Sequence, residues 1–116
     1  MADDFWRYLE LLVSGSTLHI DRPRGSHHPR YPELIYPLDY GYLEGTTAAD
    51  GSGIDVWGGT LPDRSLTGIV TTVDLIKRDT EIKILLGCTD EEVQTILRFH
   101  NTSKSMQALF IQKPKG

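Results

Sequence analysis

Hydrophobic and polar positions change period several times along this chain, and each change marks an element. Phe5, Leu9, Leu12 and Val13 recur at helical spacing, with Asp3 and Asp4 at the start and Gly15 as a stop. A short amphipathic helix is predicted there. "STLHID" (16–21) alternates as a strand, and "RPRGSHHPRYP" (22–32) breaks it with prolines and a glycine. "ELIYPLDYGYLEG" (33–45) reads as extended chain interrupted by Pro37, and "GIDVWGG" (53–59) as a short strand closed by two glycines. "LTGIVTTVDLI" (66–76) and "EIKILLGC" (81–88) are β-rich runs joined by the polar "KRDT", a hairpin pattern. "TDEEVQTILRFHN" (89–101) opens with a capping box, Thr89 with Glu92, and turns Val93, Ile96 and Leu97 to one side. "MQALFIQK" (106–113) supplies a last strand. Many short strands and two helices predict a mainly β, α+β domain: a small barrel-like sheet with helical cover.

Composition narrows the class. The 116 residues suit one domain with one modest core, and no linker or repeat divides them. Apolar residues at 39% and charged residues at 24% are those of an ordinary globular protein. A net charge of -4 argues against a general nucleic-acid binder, which carries a basic surplus. Cys88 is the sole cysteine, so no internal disulfide forms and a reducing compartment is expected. The acidic start "MADDFWRYLE" has no signal-peptide character, and no apolar run is long enough to span a bilayer. A cytoplasmic protein with no membrane partner is expected; a homo-oligomer is left open.

Candidate chemistry lies in four places. Arg22, Arg24 and Arg30, with His27 and His28, form a basic stretch free of acids in a net-acidic chain. Guanidinium forks match phosphate oxygens, although a solvated loop explains the stretch equally well. Asp50 and Asp55 flank "GSGI", and hard cations such as Mg²⁺ bind through one or two carboxylates plus substrate phosphates. On spacing alone, a DG turn is the commoner explanation. Tyr31, Tyr36, Tyr40 and Tyr42 cluster, and Tyr40 and Tyr42 share strand parity. Their rings suit a core and their hydroxyls suit a phosphate. Glu81 and Lys83 also share parity, as an acid–base pair or as the solvent side of a hairpin. His19 and His100 have no zinc-ligand spacing with Cys88, which reads as a buried thiol. Trp6 and Trp57 read as core or interface.

"YPLDYGYLEGTTAADGSGIDV" (36–56) resembles the signature region of the soluble inorganic pyrophosphatases: a YPxNYGY-like strand, a loop with threonine, then DGDPxDV. Tyr36, Pro37, Tyr40, Gly41, Tyr42, Thr46, Asp50, Gly51, Asp55 and Val56 match in order and spacing. Upstream, "IDRP" is similar to the family's strand end, with Asp21 at an active-site glutamate and Arg30 at a phosphate-binding lysine. Downstream, "TEIK" resembles the family's D-x-K. The resemblance implies an OB-like β-barrel with flanking helices and Mg²⁺-dependent hydrolysis of pyrophosphate to two phosphates. It implies metal binding by Asp50, Asp55, Asp21 and Glu81, and phosphate binding by Arg30, Lys83 and Tyr40, with Arg22 and Arg24 at the rim. Catalytic duty would fall on Asp50, Asp55 and the position of Ser52.

Ser52 stands where the family has a metal-binding carboxylate, and Gly53 replaces its proline. A further family aspartate has no aligned counterpart; Asp74 and Asp79 are nearest. The family's hairpin arginine is missing, and Asn101 and Thr102 occupy its late Tyr-Lys pair, with Lys104 close by. Two readings follow: a pyrophosphatase-like hydrolase of reduced activity, or a non-catalytic phosphate-binding descendant. Oligonucleotide binding on the sheet is a third, ranked last because of the net negative charge.

Overall fold

A computed structural model describes residues 2–115; the side chains of Ala2 and Asp3 lie outside it, and with them the charge expected of Asp3 at the helix start. In chain order the elements are α1 (Ala2–Ser14), β1 (Thr17–Arg22), β2 (Asp39–Glu44), β3 (Ile54–Gly58), β4 (Leu66–Asp74), β5 (Asp79–Leu86), α2 (Asp90–Asn101) and β6 (Met106–Gln112). The strands form one sheet in the order β1-β2-β3-β5-β4-β6. Neighbours are antiparallel except β3 and β5, which run parallel.

The mainly β, α+β class is as expected, but the sheet is open rather than closed into a barrel. β1 and β6 are its two edges. The segment before β2 is also less regular than its apolar pattern predicts: residues 33–38 hold only an isolated bridge, His27 to Ile35. Pro37 has no amide hydrogen to give a ladder, so β2 starts at Asp39.

Period-2 alternation divides the sheet into two faces. Tyr40 pairs with Trp57, Tyr42 with Asp55, Trp57 with Leu85, and Val70 with Lys83, so all of these share one face. Its apolar part is a cluster of Tyr36, Leu38, Trp57, Val70, Leu85 and Cys88, roofed by Val93 and Ile96 of α2. The other face gathers Leu43, Val56, Ile84 and Leu86 beneath Leu9 and Val13 of α1. Both helices therefore lie where their apolar stripes direct them.

Helix α2 starts where the sequence predicts. Thr89 accepts from the Glu92 amide at 3.2 Å, and the Glu92 carboxylate accepts from the Thr89 amide at 2.9 Å. Glu92 also accepts from the Thr60 hydroxyl at 2.7 Å, which ties the loop after β3 to the helix. Close backbone approach fixes Gly41: a Cβ there would lie 1.9 Å from the His19 carbonyl oxygen across the β1–β2 pair.

Candidate functional site

The α2-side face carries a polar cluster that the helix does not cover. Lys83, on β5, is 5% exposed, and its Nζ donates to three oxygens: Tyr40 at 3.0 Å, Asp55 at 3.0 Å and Glu81 at 3.1 Å. The registry explains the meeting. Glu81 and Lys83 are two residues apart on one strand, and β3 brings Asp55 alongside. Tyr40 arrives from β2, with its ring also against Trp57 at 4.7 Å between centroids.

Three donated bonds satisfy a buried ammonium completely. Burial alone would lower the Lys83 pKa, but Tyr40, Asp55 and Glu81 outweigh it and hold it above the ordinary lysine value. Burial pushes the Tyr40 phenol up, and Asp55 adds to this while Lys83 opposes it. His100 of α2 lies beneath the cluster and accepts from the Trp57 indole N–H at 3.1 Å. Burial, then the Lys83 charge, lowers the His100 pKa to about 4, so its ring is neutral near pH 7.

Arg22 adjoins on the β1 side. A bulge between Ile20 and Arg22 shifts the register, so that Arg22 pairs with Tyr40. Its guanidinium donates to the Tyr36 hydroxyl and lies 5.5 Å from that ring's centroid. The bulge leaves Asp21 exposed. His28 stacks on Tyr36 with centroids 6.0 Å apart. Burial, then the charges of Arg22, Arg30 and Lys77, lowers its pKa. Arg22, Arg30 and Lys77 thus all add positive charge around His28.

Four of the site residues read from sequence are therefore together: Tyr40, Asp55, Glu81 and Lys83. Arg22 adjoins them through Tyr36, and Arg30 meets His28 through its backbone amide at 3.0 Å. The others lie elsewhere. Asp50 is exposed and its carboxylate accepts from the Ser52 amide at 3.0 Å, closing its own turn. Ser52 is exposed on that turn. Arg24 lines a separate cleft with Asp39 and Arg64. Sequence reasoning passed over Lys77, took His28 only as part of the basic stretch, and weighed His100 only as a zinc ligand. His100 sits on the buried stripe of α2 with Val93 and Ile96, the one signal that pointed inward.

Hard cations bind through one or two carboxylates, and this cluster holds two, Asp55 and Glu81. Asp55 and Glu81 each give one oxygen to Lys83 and keep the other. Among the described residues no group of three or more His, Cys, Asp or Glu side chains converges as a metal site, so neither Asp50 nor Asp21 joins them. Substrate oxygens and water would complete such a shell.

No protein-family model matches this sequence, and no curated protein matches it. Among solved structures, an inorganic phosphatase from Anaplasma phagocytophilum is similar, with a TM-score of 0.55 and 14% identity over 82% of this chain and 81% of that one. The likeness is one of fold.

Proposed function

We propose that the cluster around Lys83 is a pyrophosphatase-like site that takes a small phosphoanhydride with Mg²⁺ and hydrolyses it slowly. One observation carries the reading: a buried lysine bonded to two carboxylates and a phenol. The inorganic phosphatase from Anaplasma phagocytophilum adds support at the level of fold.

The residues divide the work by charge. Arg22 and Arg30 face a phosphate group with forked donors, and Lys77 adds charge from the hairpin tip. Asp55 and Glu81 would hold the ion through their remaining oxygens. When bound, that ion neutralises the diphosphate and makes a coordinated water more acidic. Lys83 holds both carboxylates in place, and Tyr40 fixes the lysine. Asp55 is the base nearest to hand, since Ser52 replaces the carboxylate that would otherwise orient water.

Phosphate release from pyrophosphate in Mg²⁺, by the wild type and by Asp55→Asn, tests this. The variant is expected to lose roughly 10²–10⁴-fold in kcat/KM. Equal, background-level release from both proteins rejects hydrolysis.

One observation favours a second reading, binding without turnover: Asp50 is closed on its own turn and away from Glu81. Calorimetry with pyrophosphate in EDTA separates the two. Retained binding without phosphate release supports the binder. Binding that needs Mg²⁺ and is followed by turnover supports the enzyme.

A further inference from the structure

A cleft of about 370 Å³ opens where β3 ends and β2 begins. It shares no lining residue with the Lys83 cluster. Asp39 and Gly58 are paired and have the opposite parity to Tyr40 and Trp57, so they belong to the α1 side of the sheet. Two guanidinium groups, of Arg24 and Arg64, border it, with Asp39 between them.

The charges do not balance, and the surplus is positive. Asp39 is fully engaged: one oxygen accepts from the Arg24 amide at 2.9 Å and the other from Arg64 Nη2 at 2.7 Å. The Arg24 amide bond, then the Arg64 bond and charge, hold the carboxyl below its usual range despite burial. Asp39 therefore answers one cation only. The Arg24 guanidinium has no hydrogen-bond or ion-pair partner among the described residues, and Arg64 bonds through a single nitrogen. The remaining forked donors border the same cleft.

Close packing within the protein requires glycine at the two positions that border the cleft. A Cβ on Gly58 would lie 2.9 Å from Arg64 Nη1, and one on Gly59 would lie 2.2 Å from the Gly87 carbonyl oxygen. The Arg64 guanidinium thus lies over Gly58, and Gly59 packs on the Gly87 main chain. Arg64 itself has φ 45, a left-handed conformation unfavourable for a side-chain-bearing residue. The chain accepts this local strain at the residue whose guanidinium lies over Gly58. Leu61 and Pro62 give one wall an apolar character.

We propose that this cleft is a second binding site, specific for a small oxyanion, phosphate or carboxylate, with a compact body. Arg24 and Arg64 grip the oxyanion, Asp39 orients Arg64, and Gly58 leaves room for the Arg64 guanidinium to lie at the cleft. The site is independent of the Lys83 cluster.

The test is amide chemical-shift titration of the ¹⁵N-labelled protein with sodium phosphate, and separately with sodium succinate, at ionic strength held constant by sodium chloride. Saturable shifts at Gly58, Gly59 and Thr60 are expected with at least one anion, and the tighter of the two identifies the ligand class. Arg24→Gln removes a side chain that bonds to nothing in the described protein, so the fold is retained. It is expected to weaken binding about tenfold, the loss of one charge-assisted contact. Arg22→Gln, in the other site, leaves these shifts in place. Shifts no larger than those from chloride alone overturn the proposal. So does unchanged affinity in Arg24→Gln, or loss of the same shifts in Arg22→Gln.

Discussion

Lys83 shows how a single buried charge orders its surroundings. Replacing it with methionine leaves Asp55 and Glu81 facing each other without a counterion. Breaking a buried ion pair from one side costs about 3 kcal/mol, which urea unfolding of Lys83→Met measures. The folded pKa is raised, so this stabilisation is complete below the unfolded value of about 10.4 and is lost only as pH climbs through the higher folded value. His100 has the opposite linkage. Its pKa drops to about 4, so the unfolded chain binds the proton more readily. Stability is full above about pH 6.5 and declines as pH falls toward 4, by about 3 kcal/mol in all. Thermal melts across that range test it. His100→Gln, which keeps an acceptor for Trp57, is expected to flatten the profile.

These residues were unequally legible in the chain. Counting in twos placed Glu81 with Lys83 and Tyr40 with Tyr42, but only the strand registers bring the two pairs to one face. Asp55 was singled out with Asp50 as flanking "GSGI", and the signature resemblance strengthened both. Asp50 has the same motif credentials but sits where a tight turn takes its carboxylate for a backbone amide. Such local capture by Asp is short-range chemistry that motif spacing does not reveal. Arg24 was grouped with Arg22 as part of one basic stretch free of acids, but β1 ends at Arg22, and Arg24 beyond it lines a cleft that Arg22 does not.

At the scale of elements, the capping box of α2 was readable because its partners are three residues apart. Thr89→Ala is expected to cost about 1 kcal/mol in chemical denaturation. The bond from Thr60 to Glu92 spans 32 residues and no local pattern announces it. The same contrast appears at β6. Its pattern predicted a strand but not that it would lie at an edge. Asn101, at the end of α2, accepts from the Ala108 amide at 2.6 Å and donates to the Ala108 carbonyl at 3.4 Å. The side chain thus occupies main-chain groups that an incoming strand would need. Asn101→Ala is expected to lose about 1 kcal/mol and to raise the aggregation rate, read by light scattering at matched concentration. In the resemblance, Asn101 stood only for a missing tyrosine; the fold gives it work of its own.

At the scale of the whole molecule, both apolar clusters depend on the same central strands. β3 sends Trp57 to one face and Val56 to the other, and β5 does likewise with Leu85 and Ile84. Neither face can loosen alone. Ile84→Ala is expected to cost about 3 kcal/mol, with fluorescence and far-ultraviolet transitions still coincident. Two separate transitions would contradict this. The α+β class was legible because patterning fixes which residues are apolar. The open sheet was not, because closure depends on whether the first and last strands meet, a relation between chain ends with no periodic trace.

The parallel pairing of β3 with β5 has a kinetic consequence. The chain must leave β3, form the β4–β5 hairpin and return before Asp55 can meet Lys83. Hairpins close early and long loops late, so this seam belongs to the last stage of folding. A ligand gripping it would act as a latch: unfolding slows in proportion to occupancy, while the rate of refolding stays as it was.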